Sequence, residues 1–174
     1  MTEFIEVIKN AASWIWEFDQ VRFTIDALIK LGVTTILSGF IGFEREHSHR
    51  PAGFRTHILV AVGSSLVMLT SVYIFDSQGM TGDVTRMSAQ VLSGIGFLGA
   101  GTILREGFSV KGLTTAASLW AVACIGIAVG AGFYAGALVA TFVIYLTLNS
   151  LKRFIVRGSA GKLLFIEIKD VGTQ

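Results

Sequence analysis

The sequence predicts an all-α polytopic membrane protein: a five-helix transmembrane bundle, preceded by an interfacial amphipathic helix and followed by a short strand-like tail. Three observations carry that expectation. The 40 residues between Lys111 and Lys152 include no charged side chain; as helix they extend ~60 Å, enough to cross a ~30 Å bilayer core twice. The mean hydropathy is +0.67, with 52% apolar and 15% charged residues. The basic residues sit at the ends of apolar runs rather than along a stripe, and the net charge is only +2, which excludes nucleic acid as an expected partner.

Residues 1 to 24 come first. Phe4, Ile8, Ala11 and Ile15 share one helical stripe, with Ile5, Ala12 and Trp16 beside it, while Glu3, Glu6, Lys9 and Glu17 interrupt the run. Such a segment is expected to lie in the membrane interface with Trp14 and Trp16 at headgroup level, with docking to a partner as the alternative. Its acidic start does not read as a cleavable secretory signal.

The next uncharged run, 31 to 43, has only 13 residues, whereas a crossing takes about 20. The first span is therefore drawn over residues 25 to 45. It takes in Asp26 and Lys30, which at a spacing of four can pair on one face, and it reaches Glu44 and Arg45. Residues 56 to 75 and 87 to 104 are each one crossing. The long run is divided at Gly130-Ala131-Gly132, where helix propensity is weakest and reversal easiest, giving spans over 112 to 129 and 133 to 151. Together residues 25 to 153 form one five-span domain.

Charge sets the expected orientation. Arg45, Arg50, Arg55, Arg105, Lys111, Lys152, Arg153, Arg157, Lys162 and Lys169 fall on one side, against Lys9, Arg22, Lys30 and Arg86 on the other. Basic residues favour the cytoplasm, so the N-terminus is placed outside and the C-terminus inside. Residues 154 to 174 form a cytoplasmic tail, in which Gly158 to Gly161 read as a linker and Lys162 to Lys169 as a half-buried strand. One strand cannot form a sheet, so the tail is expected to pair with another chain, to stay loose, or to be the remnant of a soluble C-terminal domain. Cys124 is the only cysteine and lies mid-span, where it is a packing residue.

Gly94-Ile95-Gly96-Phe97-Leu98-Gly99 matches the dinucleotide fingerprint G-x-G-x-x-G. The fingerprint needs a preceding strand and an acidic residue ~20 positions later, and both are missing, so no cofactor is expected. In lipid, small residues let helix backbones approach. Gly94, Gly96, Gly99 and Gly101, with Gly126, Gly130, Gly132 and Gly136, are assigned to helix packing and to a self-association face that would support a homo-oligomer.

Chemistry is expected where polar groups converge. Glu44, Arg45, Glu46, Arg55, Arg105 and Glu106 come to the cytoplasmic end of the bundle, and Glu44-Arg45-Glu46 continues an undersized span, so these groups are expected to be partly desolvated and paired. The plain alternative is ordinary solvated loop charge. A carboxylate pair can hold Mg²⁺ through water, although this spacing does not demand it. His47-x-His49 lacks a fixed third ligand for zinc. Spans two to five carry no carboxylate; Gln90, Ser93, Thr102, Thr114, Thr115, Ser118 and Asn149 serve interhelical hydrogen bonds but are poor carriers of a charge. No nucleophile set, P-loop or acid/base pair is present, so no catalytic residue and no enzyme are expected.

Four ordered segments carry a resemblance: Gly42-Phe43-Glu44-Arg45-Glu46; Pro51-Ala52-Gly53-Phe54-Arg55-Thr56-His57; Ala89 to Gly101 around Gln90; and Lys111-Gly112-Leu113-Thr114-Thr115-Ala116-Ala117-Ser118-Leu119-Trp120. From about residue 24 to 153 the chain resembles the MgtC/SapB family of bacterial membrane proteins. The resemblance implies a multi-pass inner-membrane protein with a five-helix hydrophobic domain and a link to magnesium limitation. In some members it further implies survival inside host cells through control of ATP synthase and membrane potential. Thr114 and Ala121 stand where virulence-type members carry Asn and Cys, which sets this chain apart from that role. The resemblance marks Gln90, Thr114, Thr115 and Trp120 as polar motif positions, and Glu44 and Glu46 are expected to pair with Arg55 or Arg105. The resulting expectation is a non-enzymatic modulator of another membrane system, an ATP synthase or a transporter, with direct ion transport as the alternative.

Overall fold

The structure, a computed structural model, describes residues 2–78 and 83–159. The chain runs α1 (Thr2–His47), α2 (Phe54–Gln78), α3 (Arg86–Gly101), β1 (Leu104–Glu106), β2 (Ser109–Lys111), α4 (Leu113–Gly130) and α5 (Tyr134–Ser159). The strand expected at 162 to 169 lies outside the described residues.

α1 is a single helix of 46 residues, so the interfacial segment and the first span are not separate elements. Residues 2 to 31 contain neither Gly nor Pro, and nothing interrupts the backbone ladder where a break was expected. Its stretch long and apolar enough to cross a membrane is Gln20–His47. The helix stops where His49 turns left-handed, φ 50°, and its N–H closes on the Glu46 carbonyl at 2.9 Å, just before Pro51.

Phe54–Asp76 of α2 and Leu113–Gly130 of α4 also have spanning length and composition, whereas the apolar stretch Tyr134–Asn149 of α5 is shorter. α3 has 16 residues, about 24 Å of helix. The third span is thus shorter than the expected 87 to 104, because the Thr102 and Ile103 amides bond back to the Gly99 and Ala100 carbonyls. A hairpin follows where a plain loop was expected, pairing Leu104 with Lys111 and Glu106 with Ser109. Gly112 closes it at φ 91°, and a Cβ there would lie 1.9 Å from the Thr102 carbonyl oxygen, so only glycine fits. α4 ends at Gly130, Gly132 takes φ 84°, and α5 returns from Tyr134.

α4 is the hub, packing against α1, α2, α3 and α5. Its Val122, Ile125 and Val129 form the core with Leu37 and Ile41 of α1, Ala61 of α2, and Ala137 and Leu148 of α5. Glycine makes this possible: a Cβ at Gly126 would lie 2.1 Å from the Ala61 carbonyl oxygen, and one at Gly130 would lie 2.7 Å from that of Ser65. The assignment of α3 as the glycine packing helix is corrected by the same measure. Gly94, Gly96 and Gly101 face open space, and only Gly99 meets a neighbour, Ala116 at 3.4 Å. Gly132 belongs to the turn, and Gly136 lies under the Phe133 ring.

Candidate functional site

The polar groups gather where the C-terminal end of α1 meets the first turns of α2 and α4. Gly42 sets the approach of α1 to α2, since a Cβ there would lie 2.9 Å from the Phe54 Cα and 3.0 Å from the His57 Cβ. Two residues further along α1, Glu44 and Arg45 turn inward, 9% and 1% exposed. They pair with each other. Ser48 Oγ donates to Glu44 Oε1 at 2.9 Å, and Arg45 Nη2 donates to the Leu148 carbonyl of α5 at 3.5 Å. An isolated charge at this depth would cost several kcal/mol; pairing and hydrogen bonding offset that cost.

Glu46 points outward to α2, and its Oε2 accepts the Phe54 N–H at 2.8 Å. The first turn of α2 has no acidic residue of its own, so Glu46 supplies both a cap and a negative charge at the helix N-terminus. One turn into α2, His57 is fully buried. Its Nδ1 is 2.8 Å from the Gly53 carbonyl oxygen and its Nε2 is 3.0 Å from Ser118 Oγ on α4. A carbonyl can only accept, so Nδ1 carries hydrogen; a neutral ring then accepts from Ser118 through Nε2. Ser118 Oγ also lies 2.8 Å from the Thr115 carbonyl oxygen, giving its hydroxyl hydrogen a second acceptor. The cluster therefore ties α1, α2, α4 and α5 together at one end with most of its polar atoms engaged.

The residues singled out in the sequence divide into two groups. Glu44, Arg45 and Glu46 belong to this cluster, and Thr115 is buried beside it. Arg55 is exposed on α2, Arg105 Nε donates to the Gly107 carbonyl at 3.3 Å, and Glu106 pairs with Lys111 at 2.6 Å on the exposed hairpin. The expected pairing of Glu44 and Glu46 with Arg55 or Arg105 is thus replaced by Arg45 and the Phe54 amide. Gln90, Thr114 and Trp120 are exposed. His57 with Ser118 was missed as a unit, although a histidine entering an apolar run four residues after Gly53 was a readable signal. Among the described residues no group of three or more His, Cys, Asp or Glu is placed to hold a metal ion. The arrangement is a charged, hydrogen-bonded lock between helix ends.

The sequence profile of the MgtC family matches residues 31–156. Protein MgtC of Brucella abortus (strain 2308) is 50% identical over 123 residues, 70% of this chain and 49% of that protein. Protein MgtC of Salmonella typhimurium (strain LT2) is 46% identical over 118 residues, 67% of this chain and 48% of that protein. A protein of Escherichia coli K12 named putative magnesium transporter YhiD is 43% identical over 117 residues, 64% of this chain and 54% of that protein. The chain spans about half the length of these relatives. No solved structure matches.

Proposed function

The chain belongs to the MgtC family, and from that premise we propose that it is a non-enzymatic protein of the bacterial inner membrane that modulates another, ion-translocating membrane complex in the setting of magnesium or ion homeostasis. The observation that carries this reading is the buried Glu44–Arg45 pair. The buried Glu44 and Arg45 side chains neutralise each other and are held to Ser48 and to the α5 backbone, so they hold helices rather than offer a path. α3, α4 and α5 carry no carboxylate, and α2 has one only near its far end, Asp76. A hydrated Mg²⁺ is usually bound through one or two carboxylates, which these helices do not supply along their length. The basic residues of the loops and tail favour an N-terminus outside and a C-terminus in the cytoplasm.

Affinity purification from membranes of magnesium-limited cells, followed by flux measurements in liposomes, tests the reading. The expected result is recovery of a membrane complex whose activity changes with this protein, and no magnesium flux through the protein alone. A second reading, direct ion transport, is favoured by the name of the Escherichia coli relative; magnesium flux in protein-only liposomes would establish it and overturn the first.

A further inference from the structure

Beside the buried lock, on the outer side of the same helix ends, lies an open cavity of about 610 Å³ lined by Phe43, Glu46, His47, His49 and Phe54. Its position along the membrane normal follows from the spans: the apolar stretch of α1 ends at His47 and that of α2 begins at Phe54, so the cavity opens at headgroup depth. Phe43 and Phe54 are 67% and 40% exposed, so both rings offer apolar surface at that depth. His47 lies nearly parallel to the Phe43 ring, at 13°, and the turn is fixed by the left-handed backbone of His49.

Basic residues flank this lining in sequence. Glu46 lines it, but its carboxylate is committed to the Phe54 amide at the positive end of α2. Arg50 and Arg55, which flank the lining residues in sequence, are exposed and take part in none of the salt bridges among the described residues. Two histidines and one carboxylate do not make a metal site here. Two exposed arginines next in sequence to a cavity with two exposed aromatic rings, at headgroup depth, suit a phosphate carried on a hydrocarbon tail.

We propose that this cavity binds the headgroup of an anionic phospholipid, its phosphate held by Arg50, Arg55, His47 and His49 and its acyl chains lying along Phe43 and Phe54. A soluble phosphate would meet the same cations but gain nothing from the aromatic rings, so the lipid is the committed occupant.

The test uses the full chain, delipidated in detergent, titrated with phosphatidylglycerol or phosphatidylcholine, with retained lipid read by native mass spectrometry. Phosphatidylglycerol is expected to be retained about tenfold better than phosphatidylcholine, and R50Q/R55Q to lose that preference. His47→Glu places a carboxylate in the cavity on an exposed helical position and touches neither arginine; it is expected to lose the lipid as well. R22Q/R86Q, at the opposite helix ends, is expected to retain it. Equal retention of the two lipids, wild-type retention by R50Q/R55Q and His47→Glu, or displacement by millimolar inorganic phosphate would overturn the proposal.

Discussion

The end of the bundle where α1, α2, α4 and α5 meet and the α3 helix with its hairpin use the same residue types in opposite ways. At the bundle end Gly42 sits against backbone, as Gly126 does further along α4, and the charges, Glu44 and Arg45, are buried and paired with each other. On α3, Gly94, Gly96 and Gly101 face open space, and Glu106 and Lys111 beyond it form a pair more than 60% exposed. Residue type alone therefore does not report burial in lipid. What separates the two regions is the number of neighbouring helices: α4 touches all the others, whereas α3 rests on α2 and α4.

Substitutions can break this contrast, and the largest effect is expected at Arg45. Arg45→Ala removes the cation beside buried Glu44 and the bond to Leu148; a loss of about 3–5 kcal/mol is expected, read as unfolding free energy in bicelles. Gly126→Ala should cost about 1–3 kcal/mol or more, because the added methyl meets the Ala61 carbonyl oxygen and must part α2 from α4. Glu46→Ala removes the cap on Phe54 and should cost about 1 kcal/mol. Gly94→Ala sharpens the comparison from the other side: with nothing near the new methyl, stability should stay level or rise by up to about 1 kcal/mol. If Gly94→Ala destabilised as strongly as Gly126→Ala, the open face of α3 would have to be covered by a second copy of the chain. Lys111→Ala should change stability by less than about 0.5 kcal/mol, since its pair with Glu106 is screened by water.

Much of the architecture was readable from charge and length alone. The uncharged stretch from Gly112 to Leu151 announced two antiparallel helices because no other arrangement hides 40 such residues, and Gly132 supplied the turn between them. The continuity of α1 was harder to read, since amphipathic and apolar segments differ in what they face and not in whether they are helical. The hairpin after α3 was hidden for a related reason: Leu104 to Glu106 and Ser109 to Lys111 are too short to alternate visibly, and the turn depends on Gly107 and Gly112 taking positive φ.

At the site, Glu44, Arg45 and Glu46 could be named because they continue an undersized span. Their partners could not, because Arg45 is adjacent in sequence to Glu44 and the Phe54 amide has no side-chain signature. His57 and Ser118 are 61 residues apart and meet only once α2 and α4 run side by side. The glycine motif misled because spacing says which residues share a helix face, while the neighbour on that face is decided by the whole bundle.

The account stands on the bundle end being a polar lock between helices. A double-mutant cycle between His57→Leu and Ser118→Ala, measured by unfolding in bicelles, tests it most directly because it isolates a side-chain bond that joins α2 to α4 there. A coupling of about 0.6 kcal/mol or more is predicted, the range of interhelical hydrogen bonds in lipid. Additivity within about 0.3 kcal/mol would mean that the two side chains do not act on each other, and would contradict it.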